Sequence, residues 1–250
     1  GHFALHWTGP ETHSMDVGWF DADGDGDLDL ASANIGGAHT LHMNDDGILS
    51  LFWQAEGEAF EGNSLDFADL DGDGSQDLVI SDNLQLGGPG VVSAWCGPSF
   101  SLCWRSEDTP RYQSAVSLED VDGDGDVDLV AGAWGIGSFN GDVVRVYDND
   151  GGLETQASWS TQSEGVAEAF AWADLDRSDE ELLALEHAGG LLRLPQGTEV
   201  VSLGPAMGWD GRHVTGEAGS IVVRAPAPRD LAVSNWNKSV GNFVFLRQTP

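Results

Sequence analysis

Three stretches of this 250-residue chain align without a gap: Asp21-Ala22-Asp23-Gly24-Asp25-Gly26-Asp27-Leu28-Asp29-Leu30, Asp69-Leu70-Asp71-Gly72-Asp73-Gly74-Ser75-Gln76-Asp77-Leu78, and Asp120-Val121-Asp122-Gly123-Asp124-Gly125-Asp126-Val127-Asp128-Leu129. Their starts lie 48 and 51 residues apart, and a decayed copy, Asp174-Leu175-Asp176-Arg177-Ser178-Asp179-Glu180-Glu181-Leu182, begins 54 residues further on. A fifth echo survives as Arg229-Asp230-Leu231-Ala232-Val233-Ser234. A repeat of this period constrains the fold strongly, because each copy is one supersecondary unit that cannot bury its apolar faces without its neighbours.

Each unit reads as four short strands. Runs of four to seven apolar and β-favouring residues alternate with Gly, Asn, Asp and Pro turns, and no stretch keeps a helical period. In the first unit the runs are Met15 to Phe20, Leu28 to Ala33, Thr40 to Met43 and Leu49 to Trp53, with the acidic loop between the first two. The second run is the most apolar and recurs as Leu78-Val79-Ile80-Ser81, Leu129-Val130-Ala131-Gly132, Leu182-Leu183-Ala184-Leu185 and Leu231-Ala232-Val233-Ser234. A four-stranded unit of 40 to 50 residues is the signature of a propeller blade. The expected fold is therefore all-β, a five-bladed β-propeller filling residues 1–250 as one domain, with blades at about 14–55, 62–106, 112–160, 166–204, and 212–250 plus 2–8. Phe3-Ala4-Leu5-His6-Trp7 matches the fourth strands Leu51-Phe52-Trp53, Leu102-Cys103-Trp104 and Ala157-Ser158-Trp159, while the chain stops after a third-strand match, Asn242 to Arg247. The N-terminal strand is thus expected to complete the last blade and close the ring, which removes exposed sheet edges.

Charge narrows the partners. Against 42 acidic residues stand 10 basic ones, a formal net charge of −32, and Lys238 is the lone lysine. Such a field repels nucleic acid and anionic membrane surfaces and attracts cations. No run of about 18 apolar residues is present, so no membrane insertion is expected, and the start at Gly1 carries no signal-like segment. Cys96 and Cys103 flank a Gly97-Pro98 turn on two paired runs; they are either a disulfide in an oxidising compartment or two reduced, buried thiols.

The acids are clustered rather than diffuse. In Asp-x-Asp-x-Asp-Gly-x-x-Asp, positions 1, 3 and 5 put carboxylates on one concave side, glycine at 6 permits a sharp turn, position 7 offers a backbone carbonyl, and position 9 closes the shell. Hard oxygen donors in a flexible cage suit Ca²⁺ better than Mg²⁺, which demands tight octahedral geometry. About three structural Ca²⁺ ions are expected, on Asp21, Asp23, Asp25, Asp27 and Asp29, on Asp69, Asp71, Asp73, Ser75 and Asp77, and on Asp120, Asp122, Asp124, Asp126 and Asp128. Without a cation, like charges a few ångströms apart cost on the order of 1 to 4 kcal/mol per pair. An EF-hand is the rival, but its loop wants a bidentate Glu at position 12, where these loops have Ser32, Ile80 and Ala131. The Asp174 copy, with Arg177 intruding and one residue missing, is not expected to hold an ion, and the fifth unit has Pro226 and Pro228 where ligands would stand.

These loops and strands resemble the FG-GAP or VCBS-type repeats of integrin-like β-propellers, at about one motif per blade over essentially the whole chain. The resemblance implies that the Ca²⁺ loops lie on the bottom face, between first and second strands, and act structurally through Asp21, Asp23, Asp25, Asp29 and their counterparts. Integrin-like rings usually have seven blades, and clear Phe-Gly and Gly-Ala-Pro elements are missing here.

If the metal loops mark the bottom, ligands are expected on the opposite face. One column after the second strands reads Ile35, Asn83, Trp134, His187, Trp236; its neighbour reads Asn34, Asp82, Ala133, Glu186, Asn235. Packing residues should repeat from unit to unit, as Trp53, Trp104 and Trp159 do, whereas Trp134 and Trp236 do not, and flat indoles suit the apolar faces of sugars. Trp134, Trp236, Asn83, His187 and Tyr112 are the candidate ligand residues; His13, Arg212, His213 and Lys238 fall in nearby loops. The expected function is a secreted or cell-surface, calcium-stabilised module that binds a glycan or cell-surface polysaccharide. A polysaccharide lyase or glycosidase, with Tyr112 or His213 as base and Arg212 or Lys238 against a uronate, is the enzymatic alternative. A protein-docking module is the third. No Gly-x-Ser-x-Gly, His-Glu-x-x-His or phosphate loop supports catalysis.

Overall fold

A computed structural model describes residues 7–9, 12–57, 60–134, 143–160 and 167–173, and the strands 181–186, 190–194, 201–205, 231–233 and 243–245. The described residues are all-β, with no helix among them. β1 (His13–Phe20), β2 (Asp29–Ile35), β3 (Thr40–Asp45) and β4 (Ile48–Gln54) form one antiparallel sheet in that order. β5 (Gly62–Ala68), β6 (Asp77–Asp82), β7 (Val92–Cys96) and β8 (Ser101–Arg105) form a second. β9 (Gln113–Glu119), β10 (Asp128–Ala133), β11 (Val144–Tyr147) and β12 (Trp159–Ser160) form a third. A fourth holds β13 (Ala167–Ala173), β14 (Glu181–Glu186), β15 (Gly190–Leu194) and β16 (Val201–Pro205), and β17 (Leu231–Val233) pairs with β18 (Phe243–Phe245). Each four-stranded sheet pairs its strands antiparallel in chain order, the arrangement that short strands separated by turn residues favour. The chain divides into two compact units, residues 1–113 and 114–250.

Within the first unit the two sheets stack face to face. Registered neighbours Gly18, Ala31, Leu41 and Trp53 form a row on the first sheet, directed at Leu65, Phe67, Leu78, Ile80 and Trp95 of the second. Gly18 is needed for the approach: a Cβ there would meet Leu65 Cδ1 at 2.7 Å. Phe20 stacks on Phe67 with ring centroids 4.5 Å apart, and Trp53 meets Trp95 edge-on at 5.5 Å, contacts worth roughly 0.5–1.5 kcal/mol each beyond the area they bury. The opposite face of the first sheet carries Trp19, Leu30, His42 and Leu51 in register. There Met15, Val17 and Trp19 of β1 are about half exposed, whereas His42 is covered by the edge of Trp7 at 5.1 Å.

In the second unit, Val130, Val144 and Val146 pack with Ala167, Phe170, Trp172 and Trp159. Trp172 donates its indole N–H to Ser117 Oγ at 2.8 Å, and the Ser114 hydroxyl donates to the Ala167 carbonyl. All residues of β6 and β10 are buried, in keeping with the apolar second strand of the repeat. Trp53 and Trp159 pack against the two cores, as their recurrence predicts. Cys96 and Cys103 are joined by a disulfide between β7 and β8, which decides between the two states open to them in the sequence.

Candidate metal centre

Each acidic loop connects the first strand of a sheet to the second. Two glycines make its turn: Gly24 and Gly26 have φ of 76° and 95°, Gly72 and Gly74 of 72° and 90°, and Gly123 and Gly125 of 81° and 103°, the left-handed region that side chains disfavour. Sequence reasoning singled out the glycine at position 6; position 4 has the same requirement.

Those turns aim backbone N–H groups at the carboxylates. Asp21 accepts from Gly24 at 2.8 Å and Gly26 at 3.1 Å, and Asp120 accepts from Gly123 and Gly125 at 2.7 and 3.1 Å. Asp69 accepts from Asp73 and Gly74 at 3.1 and 2.9 Å. Position 3 accepts from position 5, and position 5 from position 7, in all three loops. The carboxylates are thereby held side by side: oxygens of Asp21, Asp23 and Asp29 lie within 4.8 Å of one another, as do those of Asp69, Asp71 and Asp73, and of Asp120, Asp122 and Asp128. Asp71 and Asp77 also converge within that distance on Cys96 Sγ. Asp25, Asp27, Asp124 and Asp126 stand outside these clusters; Asp27 accepts instead from the Asp46 N–H in the β3–β4 turn at 3.0 Å, and the Ser75 N–H donates to Asp73 Oδ1 at 2.7 Å.

The ninth residue does more than close a shell. Asp29, Asp77 and Asp128 are 1 %, 0 % and 2 % exposed, although their partners at positions 1 and 3 are at the surface or partly so. One oxygen of each accepts from position 2 of its own loop, at 2.8 Å from Ala22, 2.9 Å from Leu70 and 2.8 Å from Val121. The other accepts from the end of the third strand or just beyond it, at 2.8 Å from Asn44, 2.9 Å from Gly97 and 2.9 Å from Asn149. Asn44 and Asn149 return the grip, donating through Nδ2 to the carbonyls of Leu28 and Val127 at 3.0 and 2.9 Å. Burial pushes these three carboxyls above the usual carboxylate range; the N–H donors pull the other way, and neighbouring aspartates add to the rise. Sequence reasoning missed Asn44, Gly97 and Asn149, whose only signal is an asparagine recurring at or just beyond the end of the third strand in two of the three units.

The residues expected at the opposite end fare differently. Trp134 directly follows β10, so the length of that strand separates it from Asp128; it is half-buried, and its indole N–H is buried with no hydrogen-bond partner among the described residues. Tyr112 is half-buried just ahead of β9. Asn83 is buried with its amide engaged, donating to the Gln113 carbonyl at 2.6 Å and accepting from the Gln85 N–H at 2.8 Å, so it holds its own loop. Its column neighbours Asn34 and Asp82 are buried as well. His187 and Trp236, together with Asp174, Asp176, Arg212, His213 and Lys238, lie outside the described residues.

Residues 21–80 match the family model of the FG-GAP-like repeat, a span holding the first two acidic loops. Among solved structures the chain is similar to the computationally designed Ika4 protein, at 16 % identity and a TM-score of 0.53, covering 79 % of this chain and 99 % of that one. It is similar to BBS1N, solved in complex with ARL6DN, at 9 % identity and a TM-score of 0.50, covering 76 % of this chain and 56 % of that one. It is also similar to Raptor of Chaetomium thermophilum, at 15 % identity and a TM-score of 0.52, covering 78 % of this chain and 17 % of that one. At these identities the likeness shows the fold alone, which is propeller-like. No curated protein matches the sequence.

Proposed function

We propose that the chain is an extracellular, calcium-stabilised propeller module that binds a glycan on the face opposite its metal loops. The observation that carries the calcium reading is the convergence of three carboxylates in each of three loops. The donors are all hard oxygens, the set that Ca²⁺ selects. Asp21, Asp23 and Asp29, Asp69, Asp71 and Asp73, and Asp120, Asp122 and Asp128 would hold the ions, with Asp25, Asp77 and Asp124 beside them. A bound cation neutralises the charge that each loop concentrates, and so stabilises the fold rather than taking part in chemistry.

The ring we propose has five blades, with the N-terminal strand completing the last. It is supported by Met15, Val17 and Trp19, an exposed apolar row on the face of the first sheet turned away from the second, and by Trp7, which already lies over that face at His42. The Cys96–Cys103 disulfide supports an oxidising, extracellular location.

The glycan reading is supported by Trp134. An aromatic ring beside a loop, carrying a buried N–H that a ligand hydroxyl or carbonyl would satisfy, is suited to a sugar. A glycan-array screen of the calcium-loaded protein and its Trp134→Ala variant tests this. Binding that vanishes in the variant supports the reading; a silent array with folded wild-type protein removes it.

A further inference from the structure

The second loop is built differently from the other two. In the first and third, the asparagine that donates its backbone N–H to the ninth aspartate also clamps the carbonyl of position 8 through its side chain. In the second, Gly97 makes the backbone bond to Asp77 but has no side chain to clamp with. Its Cα instead lies against the loop, so close that a Cβ would come within 2.5 Å of the Gln76 carbonyl oxygen. The turn of the β7–β8 hairpin therefore rests directly on the metal loop. One residue before Gly97, Cys96 is bonded to Cys103 across that hairpin, and its Sγ lies within 4.8 Å of oxygens of both Asp71 and Asp77. Cys103 itself is exposed.

We propose that the Cys96–Cys103 disulfide takes the place of the asparagine clamp and makes cation binding at the second loop depend on the redox state of the hairpin. The inference rests on the calcium reading above. A dithiol supplies the electrons: its thiolate attacks Sγ of the exposed residue Cys103, the Sγ–Sγ bond breaks, and Cys96 leaves with the electron pair and takes up a proton. The second thiol of the reagent then closes on the mixed disulfide, releasing the Cys103 thiol and a cyclic disulfide of the reagent, two electrons having passed to the protein. With the tie gone, the turn is free to lift and the Gly97 N–H to leave Asp77 Oδ1. The Cys96 thiol does not replace it, since Ca²⁺ takes oxygen and not sulfur. Coupling is reciprocal, so calcium at the second loop makes the disulfide correspondingly harder to reduce.

The experiment is a calcium titration by calorimetry of the intact chain, oxidised and after reduction by dithiothreitol, with Asp69→Asn and the pair Cys96→Ser/Cys103→Ser as variants. One of three sites is expected to weaken by about tenfold on reduction, within the usual range for coupled sites, while the other two are unchanged. Asp69→Asn is expected to lose that site and with it the redox dependence, and the serine pair to titrate like the reduced protein; should the pair fail to fold, the chemically reduced protein still decides. Identical titrations in both redox states overturn the proposal, as does an equal weakening of all three sites. If the oxidised protein takes up no calcium, the calcium reading itself falls, and the oxidised arm alone reveals it.

Discussion

His39 donates its Nε2–H to Asp82 Oδ2 at 3.2 Å between the first and second sheets, with both side chains fully buried. The tautomer follows from the other nitrogen, Nδ1, which accepts the Asn34 N–H at 3.1 Å. Asp82 Oδ1 accepts the Glu61 N–H at 2.8 Å, and Glu61 Oε2 takes the N–H groups of Leu86 and Gly88. One imidazole thus ties the β2–β3 connection to the end of β6 and the loop after it.

Because the latch is fully buried, breaking it leaves Asp82 Oδ2 without its donor, while Oδ1 keeps the Glu61 N–H. His39→Ala is expected to destabilise the protein by about 1–3 kcal/mol, the usual cost of leaving a buried hydrogen-bond acceptor unsatisfied. Gly62→Ala should act through the same latch, since its Cβ would stand 2.5 Å from His39 Cε1 while Phe60 and Trp95 hold the ring from other sides. Urea unfolding of both variants checks this; a loss below about 1 kcal/mol in His39→Ala would show the pair to be dispensable.

Asp25 and Asp29 should separate the two tasks of a metal loop. Asp25→Asn removes charge from an exposed carboxylate and is expected to weaken calcium binding while leaving the metal-free melting temperature equal or higher. Asp29→Asn sets an amide against the two N–H groups of Ala22 and Asn44, so the metal-free fold should also lose about 1–3 kcal/mol. Melting curves with and without chelator distinguish them.

The raised carboxyls of Asp29, Asp77 and Asp128 set a sign for pH. Each binds a proton more tightly in the folded chain than at its ordinary value of 3.8. Their contribution therefore favours folding fully below that value and is lost as pH rises through the folded value. In chelator, their share of the stability should grow as pH falls from neutrality through the folded values towards 3.8. With saturating calcium the melting temperature should fall instead, because protons compete with the ions. A metal-free protein that loses stability over that interval would contradict the burial argument.

Chelation at neutral pH should lower the melting temperature substantially. Each site adds about 2.7 kcal/mol when calcium stands at a hundred times its dissociation constant, and the contributions of loops that share no ligands should add. Removing one loop by Asp120→Asn is expected to take away about a third of the calcium-dependent shift in scanning calorimetry; no shift in the wild type would count against all three sites.

Much of the scaffold was legible because its signals are local. The spacing of Asp21, Asp69 and Asp120 marked the units, and the alternation of apolar runs with turns marked four strands in each. The loops needed only a nine-residue pattern. Asn83 was harder: a polar residue that changes from unit to unit after a buried strand looks like a ligand contact, but Asn83 spends its amide on Gln113 and Gln85.

Short stretches of chain thus specify the repeat, the sheets, and the position of each carboxylate within its loop. Which groups meet across long separations follows from the packing of the sheets. His39 finds Asp82 43 residues away, and Asp77 finds Gly97 20 residues on, only because stacked sheets and closed hairpins bring them together. Such pairs carry no periodic mark, since each occurs once and buried polar groups take whichever partner the packing leaves within reach.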